Sequence, residues 1–493
     1  MVKVRRENTH KTAEKQGFQQ QRPKAAKIRA ETKYLLANTQ MTAFGGLLAL
    51  VKFLDLVNFK ELFENHYCSP SRKPELGCYR MMLGFLMLLF IGFARIGHFG
   101  FIRQDPMVCG ILGVNILPAI STFWRYLTSL CLNQSRALLV IGAQMRRRVW
   151  STCGIDYDCV CIDVDTTVST VYGNIEGSRK GHNTKHRGKK GLRPVFLFIE
   201  ETREYLCGMQ RRGSTMTDEE MARLIRQIGD NLPPCVKKVI VKGDAEFIGG
   251  LTIQACIECG YDFIFGNKRC TPVFKSTEWY RWGEYDYNES MHQPTGWYAE
   301  CRFVAMRIRK EQMGDRQLEM FPDDEYSYRI FATNIAWRPH AVIKRYDKRA
   351  SVESLIKEAQ AEGILAIPSK RFLSNHAFFQ IIMLAYNIWR WIKLVAGVRP
   401  GMEQSASAAS STSNQGVAPG DEIVNHTIRI ARLKMLFVPA KIATHKRQTI
   451  VKYSAHDARA AGLLDFLAYM DKRRKEPKAW ETGNDATTYG RTG

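Results

Sequence analysis

The segment that most constrains the fold is one in which apolar and polar residues alternate. Val160, Ile162 and Val164 occupy every second position, and this is the period of a β-strand. Asp163 and Asp165 lie between them and therefore share the opposite face. Two neighbouring carboxylates resist ionising together unless a cation lies between them. The segment predicts either a metal site at the end of the strand or a strand end that enters solvent.

The chain carries a large excess of positive charge. Its 493 residues include 72 Lys and Arg against 48 Asp and Glu, a net charge of +24. This balance favours a polyanionic partner, with nucleic acid as the default. The longest apolar run, residues 81–94, is too short to span a bilayer and predicts a buried core helix. We therefore expect several domains and no membrane partner.

The region before the acidic strand is predicted to bind DNA. Residues 1–40 are rich in Lys, Arg and Gln, which is typical of a flexible basic arm, and residues 41–150 show helical spacing of apolar residues. A short helix carrying Arg125 is placed like the second helix of a helix-turn-helix, although a scaffold helix has the same pattern. Candidate phosphate contacts just before the strand are Arg146, Arg147 and Arg148.

A glycine-rich basic loop is predicted directly after the acidic strand. Residues 176–191 concentrate positive charge between several glycines. We expect this loop to face DNA. Its basic residues are Arg179, Lys180, Lys185, Arg187, Lys189 and Lys190.

The elements that follow predict an α/β fold. After the acidic strand, the patterns indicate strands at 192–199 and 205–209, a helix at 217–228, a strand at 236–242, a helix at 246–259 and a strand at 261–266. Asp244 comes just after the fourth strand. Three strands, helix, strand, helix, strand, with acids after the first and fourth strands, is the order of an RNase H-like core.

Four motifs carry a resemblance to a known family. They are Asp163-Val-Asp165-Thr-Thr with the later Val-Tyr-Gly-Asn-Ile-Glu-Gly, then Arg212-Gly-Ser, then Lys242-Gly-Asp244-Ala-Glu-Phe, and finally Tyr346-Asp-Lys-Arg349-Ala-Ser-Val-Glu353-Ser-Leu-Ile-Lys357. The last matches a Tyr-x2-Arg-x3-Glu signature. The chain resembles the insertion-sequence DDE transposases of the IS-four-like superfamily, and within it most closely the thirteen-eighty family.

The resemblance implies a catalytic triad and a β-rich insertion. The triad would be Asp165, Asp244 and Glu353, with Asp165 favoured over Asp163 because it directly precedes two threonines. The chain departs from the signature at Gln360, where the family has a lysine. The long interval between Asp244 and Glu353 implies an insertion over 269–340, whose spaced aromatic residues are typical of strands.

The chemistry of these residues agrees with a metal-dependent enzyme. On one helix, Tyr346, Arg349, Glu353 and Lys357 would lie on a single face, although any amphipathic surface helix shows such spacing. Three carboxylates suit two Mg²⁺ ions, with Mn²⁺ as a substitute. Two ions would activate the nucleophile and stabilise the leaving oxygen of a phosphodiester displacement. Asp163 is an alternative ligand, and Tyr346, Arg349 and Lys357 would support phosphate binding.

The resemblance also implies a role for an aromatic residue of the insertion. Some members of the superfamily hold a flipped base on such a tryptophan, and stacking on an aromatic ring is the physical means. Trp297 is the candidate, and a packed core aromatic is the alternative.

The predicted architecture is therefore α/β, with an RNase H-like core interrupted by a β-rich insertion and preceded by a helical DNA-binding region. The predicted segments are a basic arm at 1–40, the helical region at 41–150, the first part of the core at 151–268, the insertion at 269–340, the second part of the core at 341–397, a linker at 398–424 and a basic C-terminal region at 425–493.

The predicted function is a DNA transposase that acts on the inverted repeats of its own element. Its partners would be double-stranded DNA and, by resemblance, a second copy of the chain. The absence of a signal-peptide pattern and the odd number of scattered cysteines predict a cytoplasmic protein. The resemblance to insertion-sequence transposases implies a bacterial protein that associates with the nucleoid when bound to DNA. Two alternatives stay open: an RNase H-like nuclease or resolvase without strand transfer, and a catalytically silent DNA-binding descendant of a transposase.

Overall fold

The computed structural model of the protein describes residues 28–71, 73–181, 186–267, 278–298, 300–309, 326–397, 421–478 and 480. The chain divides into two compact units, Met1–Gln40 and Met41–Gly493. The described residues of the first unit, 28–40, are exposed and have no regular helix or strand. Lys185 of the predicted basic loop lies outside the described residues.

Helices dominate the beginning of the second unit. They are α1 Leu47–Leu56, α2 Phe59–His66, α3 Cys78–Ile91, a 3₁₀ turn at Ile96–His98, α4 Phe99–Ile102, α5 Pro106–Leu112, α6 Ile120–Ser129 and α7 Leu132–Cys153. The apolar run predicted to be a core helix is α3, and every residue of it from Met81 to Ile91 is buried. Burial of an almost wholly apolar helix removes a large apolar area from water.

No single helix among the described residues has the length and apolarity needed to cross a membrane. One pair, Cys78–Ile91 with Ile96–Ile102, would meet that requirement by length and composition, but it is bent by 93°.

A nine-stranded sheet forms the centre of the unit. Its strands are β2 Cys159–Thr166, β6 Val195–Ile199, β7 Glu204–Met209, β8 Lys238–Gly243, β9 Asp262–Asn267, β10 Tyr280–Trp282, β11 Tyr285–His292, β12 Cys301–Arg309 and β13 Tyr326–Thr333. They lie side by side in the order β10-β11-β12-β13-β9-β8-β2-β6-β7. Helices α8 Asp218–Arg226, α9 Ile228–Asn231 and α10 Gly250–Glu258 connect the core strands.

The strands of the central sheet and their connecting helices from 159 to 267 follow the predicted order, but three short strands between residues 169 and 192 and a second short helix at Ile228–Asn231 were not predicted. Strand β2 pairs in parallel with β8 and antiparallel with β6. On one face of β2, Val160, Ile162 and Val164 are buried in an apolar cluster with residues of the connecting helices. The opposite face carries Asp163 and Asp165, as their alternation predicts.

The strands predicted as an insertion extend the central sheet. Strand β13 pairs antiparallel with β9, with Ile330 opposite Asn267, and β12, β11 and β10 follow outward as an antiparallel meander. The described part of the insertion therefore shares the backbone hydrogen bonds of the sheet that carries the acidic strand.

A buried helix protects the other edge of the sheet. Helix α13, Phe372–Gly397, includes the helix predicted at 378–395 and is buried over most of its length. The side-chain oxygen of Asn387 accepts from the Tyr205 N–H at 2.8 Å, and its amide donates to the Tyr205 carbonyl at 2.7 Å. Gln380 donates to the Gly208 carbonyl at 2.8 Å. These amides take the place of a tenth strand beside β7.

The C-terminal region returns to the first helices of the unit. Its elements are α14 Asp421–Val424, α15 Ile428–Ala431, a π-helical turn at Arg432–Leu436, β14 Ala440–His445, β15 Gln448–Tyr453 and α16 Ala458–Lys475. Strand β14 pairs with β1, Met41–Thr42, to make a three-stranded sheet. Helix α16 packs on α1, where Lys52 forms an ion pair with Asp471.

A glycine pair allows this close approach. A Cβ atom at Gly46 would lie 2.0 Å from the Met435 carbonyl oxygen, and one at Gly45 would lie 2.4 Å from that of Val438. Both distances are far below van der Waals contact. The backbone at residues 45–46 can therefore touch the backbone at residues 435–438 only because neither glycine has a side chain.

We predict that Asn387→Leu lowers the free energy of unfolding by about 2 kcal/mol, because the buried Tyr205 N–H loses its acceptor. Chemical denaturation followed by tryptophan fluorescence measures this. The matched control is Gln254→Leu, whose amide bonds only to Glu258 on the surface and should change stability by less than about 0.5 kcal/mol. Equal effects of the two substitutions would show that the Asn387 bridge does not stabilise the edge.

Candidate functional site

The parallel pairing of β2 with β8 brings two predicted catalytic acids to one edge of the site. Asp163 lies opposite Lys242 in the register, and each of the two acids follows that pair by two residues. Asp165 is the next-to-last residue of β2, and Asp244 is the first residue beyond β8. The backbone N–H of Glu246 donates to Asp244 Oδ1 at 3.0 Å and fixes that carboxylate.

Asp163 is committed to a lysine inside the protein. Its side chain is fully buried, and Lys242 Nζ lies 3.1 Å from Asp163 Oδ1 and 2.7 Å from Glu200 Oε2. Burial raises the pKa of Asp163 to about 6, while Lys242 opposes that rise. The alternative assignment of Asp163 as a metal ligand is therefore corrected: its carboxylate is an internal counter-ion.

Asp165 is a half-buried carboxylate near the end of β2, and an arginine lies close to it. Its Oδ1 accepts the Thr166 N–H at 2.7 Å, and the Arg349 guanidinium lies 3.6 Å from Oδ2. Burial raises the pKa of Asp165 to about 6. Arg349 opposes the rise, whereas the negative charges of Asp244 and Glu353 add to it. Asp165 therefore interacts electrostatically with both of the other predicted acids.

The signature residues lie on two helices, not one as the sequence predicts. Helix α11 runs over Pro339–Asp347 and α12 over Ala350–Ala359. Between them the Arg349 N–H bonds to the Tyr346 carbonyl at 2.8 Å, a three-residue step that tightens the chain locally. The break turns Arg349 inward, where it donates to the Val164 carbonyl at 2.9 Å.

Glu353 and Lys357 lie on the exposed side of α12. Glu353 is in the first turn of that helix, where the helix dipole favours a carboxylate, and Lys357 is in the last turn. Tyr346 is half-buried, with its ring centroid 4.5 Å from that of Phe331, and its hydroxyl accepts from Arg349 at 3.5 Å. Tyr346 thus contacts Arg349, and its supporting role in phosphate binding stays a prediction.

Gln360 replaces the lysine of the family signature and still reaches the site. Its Nε2 donates to Thr167 Oγ1 at 2.8 Å, two residues beyond Asp165. It begins a π-helical turn, Gln360–Ile364, that follows α12. A neutral amide here positions the end of β2 and adds no charge, so any phosphate contact on this helix falls to Lys357.

Arg193 is a site residue that the sequence analysis missed. It donates to Thr166 Oγ1 at 3.4 Å and forms an ion pair with Glu246, so it joins the ends of β2 and β8. No motif marks it, since Arg193 falls between two strands. The sole available signal is its place beside the basic loop.

A second group of possible metal ligands includes a residue of β2 that precedes Asp165. Within the described chain, the one set of His, Cys, Asp or Glu side chains whose ligand atoms all lie within 4.8 Å is Cys161, Glu200 and Glu201. Arg345 contacts all three, and Lys242 bonds to Glu200. These two cations already neutralise the acids, so this group needs no metal for charge balance.

The predicted basic loop is a small sheet next to Asp165. It contains β3 Ser169–Thr170, β4 Arg179–Lys180 and β5 Lys190–Leu192, in the order β3-β5-β4. The described basic side chains are exposed: Arg179, Lys180, Arg187, Lys189 and Lys190. Gly213 of the Arg-Gly-Ser motif packs under this sheet, where a Cβ would lie 2.2 Å from the Gly191 carbonyl oxygen.

The three arginines near the end of α7, predicted to contact phosphates, are buried or half-buried. Arg146 is buried and is held by Glu204 at 2.7 Å and by the Asn231 and Tyr205 carbonyls, so it cannot reach a phosphate. Arg147 and Arg148 are half-buried and bond to other carbonyls of the chain. Arg125 is exposed on α6, as the prediction requires.

Trp297 packs into the protein and does not present a free ring. It is half-buried, and its ring centroid lies 5.9 Å from that of Phe303. Its backbone also lies against Gly250. The packing alternative accounts for Trp297, and the base-holding role has no support from this geometry.

Comparison with known proteins supports the transposase resemblance. Residues 27–409 match the family model described as transposase DDE domain group 1. The match covers well over half of the 493 residues, and the chain therefore belongs to this family of DDE transposase domains. The narrower thirteen-eighty assignment stays a prediction.

Among solved structures, the chain is similar to a piggyBac transposase synaptic complex with hairpin DNA determined by cryo-electron microscopy. The TM-score is 0.39 at 9% identity, over 90% of this chain and 85% of that one. This likeness is too low to support an argument. None of the curated proteins matches the chain.

We predict that Lys242→Met lowers the free energy of unfolding by about 3 kcal/mol, because it leaves the buried Asp163 carboxylate without its cation. The control is Lys238→Met, exposed at the start of the same strand. In denaturant titrations, the double variant Lys242→Met/Asp163→Asn should recover part of the loss. If the double variant is no more stable than Lys242→Met, the two residues are not coupled.

A second prediction concerns pH. Because the pKa of Asp165 is raised from 3.8 to about 6, the folded protein holds a proton between pH 4 and 6 that the unfolded chain has lost. Stability therefore falls as pH rises through this window. In EDTA at pH 8, Asp165→Asn should be more stable than the wild type by about 3 kcal/mol, with almost no difference at pH 4.

Denaturant titrations at the two pH values measure this difference. Asp465→Asn, which removes an exposed carboxylate of α16, is the control and should leave the pH profile unchanged. A wild-type profile identical to that of Asp165→Asn would contradict the raised pKa.

Proposed function

We propose that this protein is a DNA transposase that binds the terminal inverted repeats of its element and carries out metal-dependent strand cleavage and strand transfer on an RNase H-like core. The observation that carries the proposal is the meeting of Asp165 and Asp244 at the ends of adjacent parallel strands, with Glu353 close enough to raise the Asp165 pKa. Membership of the DDE transposase domain family supports it.

The acids fit a divalent cation. Burial and the neighbouring carboxylates raise the pKa of Asp165, so this end of the sheet carries negative charge that is only partly neutralised by Arg349. Oxygen ligands suit Mg²⁺ and Mn²⁺. We propose that Asp165, Asp244 and Glu353 hold two such ions, which would supply Lewis-acid activation of the nucleophile and of the leaving oxygen.

The remaining side chains position the substrate. Arg349 spans from the Val164 carbonyl to Asp165, so its orientation is fixed before DNA arrives, and a guanidinium is suited to a phosphate. Lys357 is exposed one turn beyond Glu353 and offers a second cation. Together they would hold the scissile phosphate against the acids.

The small basic sheet is proposed to guide the flanking duplex. It begins at Ser169, four residues after Asp165, and its basic side chains are exposed to solvent. Contacts to the phosphate backbone fix the position of DNA without reading its sequence. By resemblance, two copies of the chain would act on paired element ends.

We predict that Asp165→Asn, Asp244→Asn and Glu353→Gln each lower cleavage by about 10³-fold or more while DNA binding persists, because each removes a ligand needed in the transition state. The assay uses a labelled duplex carrying the DNA that flanks the gene, with Mg²⁺ or Mn²⁺. It scores both nicked ends and their joining to a target duplex.

The matched control is Glu258→Gln, an exposed carboxylate on α10, which should cut like the wild type. Wild-type cleavage without joining would favour the nuclease alternative. Absence of cleavage by the wild type, with binding intact, would favour the silent DNA-binding alternative. Three triad variants that all cut normally would refute the assigned acids.

A further inference from the structure

The C-terminal hairpin is a cationic ribbon far along the chain from the acids. Strands β14 and β15 and their turn, residues 440–453, are named here the basic ribbon. The segment contains no Asp or Glu, and its basic residues are Lys441, His445, Lys446, Arg447 and Lys452. All five are exposed, and none takes part in an ion pair among the described residues.

One face of the basic ribbon is anchored and the other is open. Ile442, Val451 and Tyr453 pack against the helical core, and the Tyr453 hydroxyl donates to the Gly45 carbonyl at 2.9 Å. On the opposite face, Lys441 lies directly across from Lys452. Like charges at opposed positions destabilise a strand pair, so this pairing has an energetic cost.

The turn of the basic ribbon is also unfavourable for its residues. His445 pairs with Gln448, which leaves a two-residue loop. Its residues have φ of 48° at Lys446 and 64° at Arg447. Such a turn prefers Asn-Gly, since a residue with a side chain is strained in the left-handed region. The chain instead places two cations there.

Protection of a sheet edge explains only part of this pattern. Strand β15 is an edge of its sheet, and lysine on an edge strand discourages pairing with other chains. That accounts for Lys452. It does not account for Lys446 and Arg447 in the turn, where no strand edge needs protection.

We propose that the basic ribbon binds the phosphate backbone of duplex DNA at a position separate from the catalytic acids. A two-stranded ribbon fits the major groove, and clustered cations release counter-ions from the duplex. The anchored face fixes the base of the ribbon, and the strained turn presents its charges at the tip. This inference rests on the proposed function only in taking DNA as the partner.

The test replaces the turn by the sequence that its backbone prefers. Lys446→Asn/Arg447→Gly should fold with a melting temperature at or above that of the wild type, so weaker binding could not be due to misfolding. Affinity for a short fluorescein-labelled duplex of random sequence should fall about tenfold, and the slope of log affinity against log salt should fall by about 2. Fluorescence anisotropy at several salt concentrations gives both.

The matched control, Lys60→Gln/Lys73→Gln, removes the same charge from exposed positions elsewhere and should keep at least half of the affinity. The proposal is overturned if the turn variant binds DNA like the wild type, or if the control loses as much. It is also overturned if the variant loses binding to anionic vesicles or to duplex RNA while keeping DNA.

The outcomes separate this inference from the proposed function. If the wild type binds duplex and the turn variant binds it about tenfold less tightly, the ribbon is assigned whatever the cleavage assay shows. If the wild type cleaves its ends and the turn variant binds equally well, only the ribbon is refuted. A wild type that fails to bind any duplex overturns both.

Discussion

The arrangement of the candidate site depends on the buried ion pair between Lys242 and Asp163. It lies between the two parallel strands whose ends carry the catalytic candidates, and Glu200 and Arg345 extend it to the helix that bears Tyr346. Placing these charges inside the protein is costly unless each finds a partner. A shift of either strand by one residue would separate them and turn each side chain to the other face. The ion pair therefore specifies the register that sets the two acids side by side.

The same arrangement explains why one aspartate of the Asp-x-Asp motif differs from the other. Both lie on one face of β2, and both have a pKa raised by burial to about 6. Asp163 is enclosed and has a lysine as its partner, whereas Asp165 lies where the strand leaves the sheet and meets other carboxylates. Position along the strand therefore decides which aspartate is enclosed with a lysine and which one lies near the end of the strand beside Arg349.

The acidic strand and the order of the core strands and helices could be predicted from the sequence, because both depend on local periodicity. The alternation around Val164 gave the strand and its acidic face, and the spacing of later apolar runs gave the order of strands and helices. The break between α11 and α12 was not accessible, because Tyr346 to Lys357 has uninterrupted helical spacing and only contact with the sheet tightens the chain at Arg349. The prediction of a phosphate contact for Arg146 was wrong for a related reason. Three consecutive arginines do not indicate which one forms the ion pair with the buried Glu204. Arg193 had no pattern at all, since its role comes from joining two loops that are distant in sequence.

The pairing of β1 with β14 ties residues 41–42 to residues 440–441. This ladder can form only after residue 441 has been synthesised, and until then the segment before β14 and α16 cannot cover the apolar faces of α1 and α3. Contacts of such long range are slow to form and leave apolar surface open to aggregation in the meantime. A chain truncated before β14 would therefore leave the apolar faces of its first helices without this cover.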